Sequence, residues 1–142
     1  MKRRDFIQLS VAGLAASAVA PAVSLAESAP QTTVSADIYY TQASTGRWNG
    51  KAATHLPSIE VLKADGKVTV NVVTAHEMKG YEHYIVKHVL LDKNHKFIAE
   101  KMFNPMEDKV ASSSFSLENY SGTLYALSMC NKHDVWLSSA EA

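Results

Sequence analysis

The stretch Ala64-Asp65-Gly66-Lys67-Val68-Thr69-Val70-Asn71-Val72 decides the fold class. Asp-Gly supplies the positive φ angles that a tight hairpin turn requires. The residues after it alternate apolar and polar, the period of a strand with one buried face. Working outward, Ile59-Glu60-Val61 is a short alternating segment on the other arm of that turn. Downstream, residues 84–91 form a longer β run closed by Asp92-Lys93-Asn94-His95, and 96–103 form another, ended by Asn104-Pro105. Residues 111–117 are a weaker strand, Asn119-Tyr120-Ser121-Gly122 a turn, 123–129 a strand, and Val135-Trp136-Leu137 the last. About seven short strands separated by turn signals, with no helical periodicity, predict an all-β chain folded as an immunoglobulin-like β-sandwich. The Cys-Trp-Cys signature of true immunoglobulin domains is absent.

The N-terminal end has a different character. Met1-Lys2-Arg3-Arg4-Asp5-Phe6-Ile7 opens the chain, a run of small apolar residues follows to about Leu25, and Ser24-Leu25-Ala26 closes it. A basic segment, an apolar segment and an A-x-A-like cleavage site make a secretory leader, and the paired arginines followed by Asp-Phe-Ile match the twin-arginine export signal. We therefore expect residues 1–26 to be a twin-arginine signal peptide, 27–45 a linker or extension anchored by Tyr39-Tyr40, and 46–142 the β-sandwich domain. The expected location is the periplasm. Pro21 near the end of the apolar run argues against a membrane anchor, so no membrane is expected as a partner after cleavage. Three basic groups and one acid lie in the leader, so the remainder would carry 11 basic and 13 acidic groups. That balance offers no basic face for nucleic acid.

The chemistry-bearing residues are six histidines and one cysteine. A lone cysteine in an exported chain cannot pair internally, which leaves a buried hydrophobe, a reactive thiol, an intermolecular link or a metal ligand. Cys130-Asn131-Lys132-His133 sets a thiol and an imidazole together just past a strand, where a tight turn lets both face one ion. His76 and His83 stand at the two feet of a short connection containing Gly80, and His55 precedes Leu56-Pro57 in a segment able to cross the same end of the sandwich. His88 lies at an odd offset from His83, hence on the opposite face of a strand, and His95 sits in a solvated turn. Neither is expected to be a ligand. Four imidazoles and a thiolate exceed a closed tetrahedral zinc site. Mixed nitrogen and soft sulfur donors suit iron better than copper or zinc. Five protein ligands leave one octahedral position open, and neutral imidazoles with one thiolate around Fe(II) carry a net charge of about +1, attractive to a small anion.

Cys130-Asn131-Lys132-His133-Asp134-Val135-Trp136 resembles the C-N-x-H-G-x-W motif of the superoxide reductases, the neelaredoxin and desulfoferrodoxin family. The segment from His76-Glu77-Met78 through His83-Tyr84-Ile85 resembles that family's H-P-M…H-x-I stretch, and His55-Leu56-Pro57 resembles its E-K-H-x-P stretch. The resemblance implies one mononuclear non-haem iron held by His55, His76, His83 and His133 in a plane, with Cys130 axial. It also implies an immunoglobulin-like sandwich and one-electron reduction of superoxide to hydrogen peroxide, with an electron donor that export would place in the periplasm. Single-domain relatives assemble, so a homo-oligomer is the expected state.

Three departures from the family pattern bear on the reaction. The family's Glu-Lys pair before the first histidine is Ala53-Thr54, its proline after the second histidine is Glu77, and its glycine after the last histidine is Asp134. Lys51 and Lys79 are the candidates to replace the missing lysine as catalytic residues. The competing function is an electron-transfer or redox-sensing iron protein that has lost efficient turnover.

Overall fold

The computed structural model describes residues 37–142. The expected signal peptide, and the part of the expected linker or extension before residue 37, lie outside the described residues. Seven strands form two antiparallel sheets: β1 (Pro57–Ala64), β2 (Lys67–Thr74), β3 (Ile85–Leu91), β4 (Phe97–Met102), β5 (Ala111–Glu118), β6 (Thr123–Cys130) and β7 (Asp134–Glu141). One sheet has the order β1-β2-β5 and the other β4-β3-β6-β7. The chain changes sheet after β2, after β4 and after β5, the crossing pattern of an immunoglobulin-like sandwich. The expected fold class is the one found. Two short helical segments precede β1, a 3-10 turn at Gly46–Trp48 and a single α-helical turn, α1, at Ala52–His55. Neither is long enough to leave a periodic signal in the sequence.

The opening stretch forms the turn it encodes. Asp65 and Gly66 have φ of 50° and 76°, and Ala64 pairs with Lys67 across them. A Cβ on Gly66 would stand 2.9 Å from the Asn119 side chain, so glycine is required there twice over. From that turn β2 buries Val68, Val70 and Val72 on one face against Leu90, Leu124 and Ala126 of the other sheet. Each fully buried valine or leucine contributes roughly 1.5–3 kcal/mol. Toward the opposite end a second cluster gathers Ile85, Phe103, Ala111 and Cys130, with Met78 packed against it.

β7 runs to Glu141, well beyond the three residues the sequence suggested, because it pairs along all of β6. Tyr40 joins this sheet by a parallel bridge to Trp136 and is fully buried, its ring 5.4 Å from the indole. Among the described residues, no helix is long and apolar enough to cross a membrane.

Candidate metal centre

Five side chains converge at one end of the sandwich. One ligand atom each from His55, His76, His83, Cys130 and His133 lies within 4.8 Å of every other. Four separate pieces of chain deliver them. His55 ends α1, and its Nδ1 is 2.9 Å from the Lys51 carbonyl one turn back, which turns Nε2 inward. His76 follows β2 in a tight turn closed by its own N–H to the Thr74 carbonyl at 2.7 Å. His76 Nδ1 donates to the Glu77 carbonyl, so Nε2 again faces the centre. His83 stands two residues before β3, Cys130 ends β6, and His133 lies in the turn between β6 and β7.

The nitrogens form a ring. His55 Nε2 is 3.0 Å from His133 Nδ1, which is 3.2 Å from His83 Nε2, which is 3.1 Å from His76 Nε2. Neighbouring imidazoles meet edge to face, with centroids 4.4–4.9 Å apart, whereas His55 and His83 stand across the ring at 6.3 Å. Nitrogens at right angles around one ion, on metal–imidazole bonds of about 2.1 Å, stand about 3 Å apart. Cys130 Sγ is 3.7 Å from His76 Nε2 and 3.6 Å from His133 Nδ1, and the residue is buried. Its surroundings are the second apolar cluster, while His83 and His133 keep partial exposure. With Nδ1 of His55 and of His76 donating to carbonyls, their Nε2 atoms present bare lone pairs toward a sulfur and two other nitrogens. Four imidazole nitrogens and a thiol converging on one point are the donor set of a cation site, and the mixed N/S chemistry fits iron.

Burial favours the neutral form of three of the imidazoles. Burial lowers the His55 pKa to about 4 despite its bond to the Lys51 carbonyl. Burial also lowers His76 and His133, the latter with help from His83 and from the positive charges of Lys51 and Lys132. A neutral imidazole is the metal-binding form.

The outer contacts orient the ring, as they do in metal sites generally. Asn131 staples the two ligand-bearing loops together: its Oδ1 accepts from the Tyr84 N–H at 3.0 Å, and its Nδ2 donates to the Tyr81 and Glu82 carbonyls at 3.3 and 3.1 Å. Trp136 Nε1 donates to the His133 carbonyl at 2.8 Å, and its ring lies beside His55 at 5.6 Å. The Lys132 N–H stands 3.5 Å from Cys130 Sγ, a donor aimed at the thiolate. Glu77 Oε1 is 3.4 Å from His83 Nδ1, and Glu77 Oε2 is 3.2 Å from Lys79 Nζ. Lys79 is thus paired with the residue that replaces the family proline. Lys51, at the N-cap of α1, and Lys132, given no role by the sequence, are the cations whose charge bears on His133, and Lys132 Nζ also stands 4.0 Å from Glu82 Oε1. Ala53 and Thr54 are exposed.

Asp134 does not leave a free negative charge at the rim. It takes a positive φ of 61° and turns its carboxylate onto Arg47 at 2.5 Å, Trp48 Nε1 at 2.8 Å and the Tyr40 hydroxyl at 3.4 Å. Arg47 and Trp48 hold its pKa below the usual carboxylate range. Trp48 in turn packs edge-on against His133 with centroids 4.7 Å apart. His88 is not in the ring of ligands; it is fully buried between the sheets. His95 is exposed, and stacks on Tyr125.

The desulfoferrodoxin family profile matches residues 47–139, a span that holds all five converging side chains. The chain belongs to the desulfoferrodoxin family. Among solved structures, it is similar to a variant of the superoxide reductase (neelaredoxin) from Ignicoccus hospitalis, with 30% identity and a TM-score of 0.64 over 73% of this chain and 92% of that one. It is also similar to the superoxide reductase (neelaredoxin) from Archaeoglobus fulgidus in the reduced form, with 25% identity and a TM-score of 0.58 over 74% and 98% of the two chains. No curated protein sequence matches. Desulfoferrodoxins bind non-haem iron, and the cluster of four histidines and one cysteine has the composition and spacing to hold one.

Proposed function

We propose that His55, His76, His83, His133 and Cys130 would together hold one iron, and that this centre reduces superoxide to hydrogen peroxide in the periplasm after twin-arginine export. One observation carries the reading: a ring of four imidazole nitrogens about 3 Å apart, with the Cys130 thiol 3.7 and 3.6 Å from two of them. When bound, ferrous iron would supply the one electron, and two protons from water would complete the product. Around it, each part of the chain has a separate task. Cys130, set among apolar side chains with a backbone N–H on its sulfur, is the donor on the closed side. Thiolate donation of this kind favours bond-making and bond-breaking on the opposite side of an iron. Asn131 and Trp136 fix the rings, and Lys51 and Lys132 supply positive charge near the open side to draw in a small anion. The pairing of Asp134 with Arg47, which offsets its negative charge, serves the same end.

The measurement is stopped-flow mixing of the ferrous protein with superoxide. Oxidation should be about 100-fold faster or more than in Cys130→Ser, the upper end of what changes around a metal cost. Hydrogen peroxide should form and no dioxygen. Equal rates would overturn the reading. A second reading, an electron carrier or redox sensor, is favoured by one feature, the short side chains Ala53 and Thr54 where the family has Glu and Lys. Slow reaction with superoxide together with reversible cycling against a periplasmic donor would support it.

A further inference from the structure

Directly beneath the metal ligands lies a chain of four polar side chains that the iron chemistry does not use. Ser113 of β5, His88 of β3, Thr74 of β2 and Ser128 of β6 are all buried, with exposures of 4%, 0%, 1% and 0%. They alternate between the two sheets. Thr74 Oγ1 donates its single proton to Ser128 Oγ at 2.8 Å. It must therefore accept from His88 Nε2, 2.9 Å away. With the imidazole proton on Nε2, His88 Nδ1 is the acceptor for the Ser113 hydroxyl at 2.8 Å. Every bond runs in one direction, from β5 through β3 and β2 to β6, an arrangement in which each bond polarises the next.

The placement is specific. On β2 the buried stripe reads Val68, Val70, Val72, then Thr74; on β6 it reads Leu124, Ala126, Ser128, then Cys130. Apolar residues fill each stripe until the last step before a ligand. A valine or alanine there would complete an ordinary core without the desolvation cost of burying hydroxyls. Thr74 also binds the next ligand through its backbone, since its carbonyl receives the His76 N–H at 2.7 Å. Ser128 stands two residues before Cys130, whose sulfur is 3.7 Å from His76 Nε2.

We propose that Thr74 and Ser128, tied to each other and anchored through His88 to Ser113, are positioning residues that hold the His76 turn and the Cys130 strand end at the separation the iron requires. The inference rests on the iron site and not on the reaction with superoxide. The test uses the full chain loaded with iron, as wild type, Thr74→Val, Thr74→Ser and Ser113→Ala. Thr74→Val keeps the shape and removes the link. It should lower iron affinity about 10-fold, the low end for residues that orient ligands. It should also shift the thiolate-to-iron absorption band of the oxidised protein and the midpoint potential. Thr74→Ser should restore all three. Ser113→Ala, at the far end, should lower the thermal midpoint while leaving the band in place. A Thr74→Val protein with wild-type band, potential and affinity overturns the proposal, as does failure of Thr74→Ser to rescue. Where Thr74→Val does not fold, Ser128→Ala takes its place with the same readouts, and an unchanged band and potential again overturn it. None of these readouts involves superoxide, so an iron protein without reductase activity is told apart from one without this device.

Discussion

His76 and His88 are both buried imidazoles, and their partners separate their fates. Each nitrogen of His88 meets a hydroxyl, so the ring is satisfied as a neutral core residue. His76 Nε2 meets another imidazole nitrogen and a sulfur, the donor types that bind a metal. The odd offset from His83 separated His88 from the ligands on strand alternation alone, but it could not show the hydroxyls, which come from two other strands. Burial, with a smaller push from Lys101, holds the His88 pKa at about 4, against 6.5 for an ordinary histidine. Between those values the unfolded chain binds the extra proton and the folded chain does not, so stability rises with pH. The contribution is present in full above pH 6.5 and is lost as pH falls toward 4, a change of about 3 kcal/mol across the window. Urea unfolding of wild type and His88→Leu should therefore show a stability gap that narrows by about that amount from pH 7 to pH 4. A gap independent of pH would show that His88 titrates alike in the folded and unfolded chain, and would overturn the prediction.

At the scale of elements, the segment before β1 is held by a residue that the family pattern gives as glycine. Asp134 keeps the left-handed backbone of that position and uses its carboxylate to clasp Arg47 and Trp48 across the end of the sheet. Asp134→Gly removes those bonds but relieves the backbone, and because the ion pair is largely solvent-exposed the loss is modest, about 1 kcal/mol or less. Asp134→Ala loses the same bonds and keeps the strain of a Cβ in the left-handed region, about 1–2 kcal/mol more. Chemical denaturation should rank them wild type, Gly, Ala; equal midpoints for Gly and Ala would mean that the positive φ carries no cost. The strands themselves were legible because alternation is a local signal, as in Val68-Thr69-Val70-Asn71-Val72. The ends were not. His55 lies in a single helical turn, and the length of β7 is set by β6.

For the whole molecule, both sheets must close before the site exists, since β2 delivers His76 from one sheet and β6 delivers Cys130 from the other. A ligand set of this kind is assembled by folding and stabilised by the metal it binds. A twin-arginine leader suits such a chain, because that route carries folded proteins. Replacing Arg3 and Arg4 together by lysine should keep the iron-loaded protein in the cytoplasm, with its leader uncleaved, as measured by fractionation and N-terminal sequencing. Unchanged export would point to the general secretory route.

By itself, the sequence determined that the chain is all-β, that five residues in three ordered motifs stand apart from His88 and His95, and that their chemistry suits iron. Those conclusions need only local periodicity, turn chemistry and the identity of donor atoms. Tertiary structure decided which ring nitrogen faces the centre, where the thiol sits relative to the imidazole plane, and that Glu77 takes Lys79 while Arg47 takes Asp134. It also decided that Thr74, Ser113 and Ser128, ordinary hydroxyls in alternating strands, become one chain with His88. The reason is physical: strand alternation shows which residues turn inward, but only the pairing of two sheets shows what they meet there.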